Sequence, residues 1–302
     1  MKPLSLPLEP YGLVLGAMLF TFLILLAPAG ASLAGTEAKI ETDFAVPLHY
    51  TTEQAGNFYF LHPPPTDKTM TCMYGVSPSR VSTGSLETDA DKALAVAVPR
   101  GYTVAASSGP ASMRGRSASG WPFFWRQAEY NGQFKDIPVS IRVMAMVFLA
   151  GSGRVNVVFG VGPVKTCSLD DASFAQLFHS LHPHGWQPDS TNWLGHEIAG
   201  VWSFDSAMAS GAFVFTPTGR YTFLARFKSE TGKDEGRYEI QGDEFLLISD
   251  DSAQETQRFR VSLYEEWRQG HWTRGMSLLQ EVRSPDKPPI YSLQRYQGFL
   301  QQ

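Results

Sequence analysis

From Gly200 onward one pattern recurs: a short run in which apolar and polar residues alternate, closed by a turn. In Arg220-Tyr-Thr-Phe-Leu-Ala-Arg-Phe227 the odd positions give Tyr221, Phe223, Ala225 and Phe227, while the even ones give Arg220, Thr222, Leu224 and Arg226. Alternation of period two puts one set on each face of a strand, so one face is apolar and the other mostly polar. The split recurs at Tyr238 and Ile240 against Arg237 and Glu239, and at Phe259, Val261 and Leu263 against Arg258, Arg260 and Ser262. Seven such strands are predicted, at Gly200–Asp205, Gly211–Thr216, Arg220–Phe227, Gly236–Gln241, Glu244–Ser249, Arg258–Tyr264 and Met276–Val282. Consecutive short strands joined by turns form a meander, and rolling it into a barrel or half-barrel removes its unpaired edges.

The preceding residues obey a different rule. Alternating runs at Asn57–His62 and Thr69–Val76 lead to a helical stretch at Thr88–Val98, with Asp89 and Asp91 in its first turn and Pro99-Arg100-Gly101 as its stop. Strands follow at Tyr102–Ser107, Trp121–Tyr130, Ile137–Leu149 and Arg154–Val161, then a helix capped by Ser168 with Leu169, Ala172, Leu177 and Leu181 on its apolar stripe. This order predicts an α+β domain, an antiparallel sheet flanked by helices, over residues 45–184. "HPHGWQPDSTNW" has loop composition, so a linker is expected at 185–194, the β domain at 195–284 and a C-terminal tail at 285–302.

Residues 1–31 read as a signal peptide. Tyr11–Ala29 carry no charge, and Ala29-Gly30-Ala31 offers small residues at peptidase spacing, so the mature chain is expected to begin near Ser32 and to be periplasmic or extracellular. An uncleaved membrane anchor is the rival reading. In such a compartment Cys72 and Cys167, the two cysteines, either form one disulfide or remain buried thiols; their spacing leaves both open.

With 25 basic and 29 acidic residues and no long run of either sign, the chain offers no electrostatic case for nucleic acid. His179, His182, His184 and His196 have a loose metal-like spacing, but no Cys or acidic run completes a zinc signature, so no metal and no cofactor is expected. No nucleophile elbow, phosphate loop or dinucleotide fingerprint occurs, and Asp170, Asp171, Asp250 and Asp251 sit where a helix start and a turn use them. A non-catalytic protein is therefore expected. Arg114 and Arg116 lie in a polar, glycine-rich stretch read as a loop that meets an anion or an acidic partner, or is only mobile; Trp121, Phe123 and Trp125 share one strand face and read as core.

The C-terminal hundred or so residues resemble the lipocalin-like, calycin-type domains of exported bacterial proteins. The resemblance rests on Gly200-x-Trp202 after "WLGHEIA", on "FTPTGRYTF" and on "GRYEIQGDEFLLI". It implies an up-and-down barrel with Trp202 closing one end and a small apolar molecule at the other. Residues 50–184 look more distantly similar to the PsbP-like sandwich through element order and the closing "FAQLFHSLHP". The inward set expected for the barrel is Trp202, Phe213, Phe215, Tyr221, Phe223 and Tyr238, bulky enough to fill much of a small barrel or to line a ligand cavity. Tyr221 and Tyr238 keep the second option open, since a buried phenol needs a polar partner. Three functions follow as expectations, in this order: an apolar small-molecule binder, an envelope protein-interaction or accessory module with a filled barrel, and an enzyme of unknown reaction.

Overall fold

A computed structural model describes residues 40–64, 72–105, 111–117, 119–134, 136–151, 153–164, 167, 172–187, 193–206, 209–227, 230–241, 244–268, 270–284 and 287–299. The signal-peptide reading of residues 1–31, the Ser168 cap and the Asp170–Asp171 pair lie outside them. The described residues are mainly β.

The first sheet runs in the order β2 (Thr51–Ala55), β3 (Phe58–His62), β4 (Met73–Val76), β10 (Arg154–Pro163), β9 (Ile137–Leu149), β8 (Pro122–Phe134) and β7 (Ala111–Arg116). Short β5 (Arg80–Val81) and β6 (Thr103–Val104) extend it along β10 and β8, while β1 (Thr42–Asp43) pairs separately with β11 (His182–Pro183). Helix α1 (Leu86–Ala97) begins two residues before its expected start, because the Ser85 hydroxyl accepts from the Thr88 amide and caps it. Its Ala90, Ala93, Leu94 and Ala97 bury against Phe124, Ile141, Ala145 and Val157 on one face of the sheet. Helix α2 (Ala172–Ser180) places Phe174, Leu177 and Phe178 against Trp121, Phe123, Met146 and Phe148 on the other. With both faces covered, every residue from Val143 to Phe148 is buried, which explains the unbroken apolar run there. Trp121, Phe123 and Trp125 lie in this core, as alternation implied.

After short α3 (Trp193–Glu197), eight antiparallel strands close a barrel: β12 (Gly200–Asp205), β13 (Ala209–Phe215), β14 (Arg220–Phe227), β15 (Glu230–Gln241), β16 (Glu244–Ser249), β17 (Gln257–Arg268), β18 (His271–Ser284) and β19 (Lys287–Phe299). Closure comes from β19 pairing with β12 at Val201↔Phe299, Trp202↔Gly298 and Ser203↔Gln297. The segment expected to be a tail is therefore the eighth strand. Its Pro288 and Pro289 fall beside a register shift between Val282 and Ser284, where the pairing described for β19 is with β18 and a missing amide is tolerated.

The two sheets share a strand. Gln257–Arg260 of β17 pair with β16, whereas Leu263–Glu266 pair with β7, and β18 lies along the other edge from Phe259 to Arg268. Residues 111–116, expected within a loop, are thus a sheet strand. Gly115 permits the approach, because a Cβ there would stand 2.2 Å from the Leu263 carbonyl oxygen.

Cys72 and Cys167 form a disulfide with Cα atoms 4.8 Å apart, tying the start of β4 to the chain ahead of α2. Both residues are fully buried, and the bridge spans 95 positions, a long loop whose closure restricts the unfolded chain. Replacing both cysteines with Ala should lower the free energy of unfolding by about 2 to 5 kcal/mol in a denaturant titration. An unchanged midpoint would show that the native core alone holds these segments together.

Candidate functional site

All six residues of the expected inward set point into the barrel, and five of them are buried. The interior is occupied by their own rings. Phe213 stacks on Phe223 at 4.3 Å between centroids and on Phe215 at 5.3 Å; Phe215 meets Tyr238 at 5.3 Å and Phe245 at 5.5 Å. Leu247, Phe259, Val261, Leu263, Met276 and Leu278 complete this core. Centroid spacings up to about 7 Å are those of rings in direct contact.

The phenols also find partners within the chain. The Tyr221 hydroxyl donates to Asp234 Oδ2 at 2.6 Å, and the Ser249 hydroxyl donates to Oδ1 of the same carboxylate at 2.6 Å. Burial, reinforced by this hydrogen bond and the Asp234 charge, pushes the Tyr221 phenol well above its ordinary range. Tyr238 donates to the Thr216 carbonyl at 2.8 Å. These hydroxyls serve the wall that carries them.

Trp202 is 1 % exposed and sits beside α3, whose Leu194 and the following Ile198 complete its surroundings. Its indole N–H donates to the Ile198 carbonyl at 2.7 Å, and the Arg274 guanidinium lies 5.0 Å above its ring while donating to the Glu197 carbonyl. A Cβ at Gly298 would come within 2.8 Å of this indole, so the neighbouring strand is kept bare where the ring lies. At the opposite end the filling thins: Phe223 and Phe204 are half-buried and Phe227 is 50 % exposed.

Among the described residues His179, His182 and His184 do not assemble, and the side chain of His196 lies outside them. His182 and His184 are exposed, with His184 Nε2 3.1 Å from Asp43 Oδ1, and His179 is buried between the first sheet and the outer barrel wall. Among the described residues no three of His, Cys, Asp or Glu come together as a metal site.

Two of the clefts outside the barrel are lined in part by charged side chains. One, of about 560 Å³, lies between α2 and the wall of β16–β19 and is lined by Gln176, Ser180, Glu244, Arg258, Arg260 and Glu281. The other, of about 690 Å³, sits where β7, β8 and β17 meet the Trp202 end, with Arg114, Arg116, Glu197, Glu265 and Arg274 among its lining. Arg114 and Arg116 stand out in the sequence, whereas Glu265, Trp267, Trp272 and Arg274 fall between the expected strands, which end at Tyr264 and resume at Met276. "WRQGHW" carried the missing signal: two tryptophans around a turn glycine. Gly270 takes φ +85°, and Trp267 pairs directly with Trp272 across the hairpin.

The chain matches no protein-family model and no curated protein.

His179 makes the junction sensitive to acid. Burial first, and the Arg260 charge second, lower its imidazole to about 3, while Arg260 donates to the His179 carbonyl at 2.8 Å. An unfolded chain protonates this group near pH 6.5. The unfolded state therefore binds the extra proton between these values, so the stabilisation is complete above about pH 6.5 and is lost as pH falls toward 3, at about 1.4 kcal/mol per pH unit. Unfolding free energies measured from pH 7 to 4 should fall on this slope, and His179→Gln should flatten it. An equal slope in the variant would assign the effect to other groups.

Proposed function

We propose that this is an exported, non-catalytic protein of the cell envelope whose lipocalin-like barrel is a filled scaffold and whose recognition is carried by its outer surface. The observation that carries this reading is the ring-to-ring filling of the barrel, in which Phe213, Phe215, Tyr221 and Tyr238 spend their surfaces on one another. The uncharged stretch ahead of Ala29-Gly30-Ala31 supports export, and a buried disulfide fits an oxidising compartment. Helices on opposite faces of the first sheet support its likeness to a PsbP-like sandwich.

A second reading, a small apolar ligand at the barrel's thinner end, is favoured by one observation: Phe227 is 50 % exposed and Phe223 is only partly covered. Stability and binding separate the two. In a filled barrel Trp202→Ala and Phe213→Ala each cost about 3 to 5 kcal/mol by leaving a cavity, and Phe223→Ala costs less because its ring is less buried. Denaturant melts measure these losses, and titration with an apolar fluorescent probe measures cavity binding. No saturable probe binding by the natural protein is expected; tight binding abolished by Phe223→Ala would move the function into the barrel.

A further inference from the structure

We infer that the 690 Å³ cleft at the Trp202 end, with the Trp267–Trp272 shelf beside it, is a binding site for a neutral oligosaccharide. This rests on the reading that recognition lies on the outer surface. Its lining sets three carboxylates, Glu87, Glu197 and Glu265, against three guanidiniums, Arg114, Arg116 and Arg274, so the formal charges cancel. A groove of this kind draws in neither a polyanion nor a polycation. It offers instead planar donors and acceptors close together, the groups that pair with vicinal hydroxyls.

Arg114 and Arg274 are held in place without exhausting their hydrogen-bonding capacity. Arg114 donates through Nε and Nη2 to a single oxygen of Glu265, Oε2, at 2.7 Å. Arg274 directs one of its five N–H groups to the Glu197 carbonyl and lies over the Trp202 ring. Polar groups fixed before the ligand arrives lose little freedom on binding it.

The shelf supplies the apolar half of sugar recognition, a flat ring for the C–H face of a pyranose. Trp267 is 43 % exposed on a hairpin that three contacts pin. Its ring meets Trp272 edge-on at 5.3 Å, Trp272 lies 4.3 Å beneath the Arg114 guanidinium, and Phe124 meets Trp272 at 6.5 Å. Arg114 and Phe124 line the cleft as well, so shelf and cleft are continuous. A rigid, half-exposed tryptophan beside balanced planar charges matches an amphipathic, uncharged ligand. An acidic peptide would face the three carboxylates, and a lipid surface would meet charged groups around a single exposed ring.

The test uses the natural protein with cellohexaose, maltohexaose and chitohexaose as probes, read by tryptophan fluorescence and titration calorimetry. At least one hexaose should bind with a shift in tryptophan emission and with affinity nearly independent of salt between about 50 and 500 mM. Trp267→Ala should weaken it by about tenfold or more, as loss of a central aromatic contact does, and Glu265→Gln should weaken it with the unfolding midpoint unchanged. Three results overturn the proposal: no hexaose binds, Trp267→Ala binds as tightly as the natural protein, or polyglutamate or heparin binds the cleft with steep salt dependence instead. None of these bears on the melts of the Trp202 and Phe213 variants, so the filled-barrel reading fails or survives separately.

Discussion

The architecture depends on strand β17 having three neighbours. A strand has two edges, and β18 occupies one of them from Phe259 to Arg268. The other is divided, its first part taken by β16 to close the barrel and its later part by β7 to continue the first sheet. Backbone hydrogen bonds therefore run unbroken from one unit into the other, and a linker does not carry the connection alone. The glycine at 115 and the alternation of Arg114 and Arg116 to one face let β7 lie close to β17 while its side chains meet Glu265.

This junction also positions what is chemically interesting. The face of β17 that looks into the barrel at Val261 and Leu263 continues past the barrel as Glu265 and Trp267, above the sheet that carries Phe124 and α1. Inside, aromatic rings meet aromatic rings; outside, the same row meets guanidiniums and solvent. The Trp202 plug, held by Arg274 from above and α3 from the side, is the boundary between the two environments.

Much of the barrel could be read in advance because each strand has one wet and one dry face, and period-two alternation records that directly. The inward set was legible for this reason, as was the core role of Trp121, Phe123 and Trp125. What escaped notice was decided by partners distant in sequence. Residues 111–116 read as a loop because Ser, Gly and Arg have low strand propensity, and only β17 and β8 on either side make them a strand. The segment 287–299 becomes a strand through β18 and β12, and Trp267 comes opposite Trp272 only once β17 and β18 pair. The candidate cleft was least legible, since its residues come from α1, β7, β8, α3, β17 and β18 and nothing local brings them together.

The divided strand has a consequence for the order of events at the ribosome and beyond. Arg114 and Glu265 stand 151 residues apart, so β7 must wait for most of the later chain before its second edge is paired. Until then the first sheet presents an open flank that is capable of joining the wrong strand, and the ring of β12 cannot shut before residues 297–299 arrive. Contacts of such long range make for slow folding. In a chain of this design β17 is completed late, when β16 and β7 can both take their places along its divided edge.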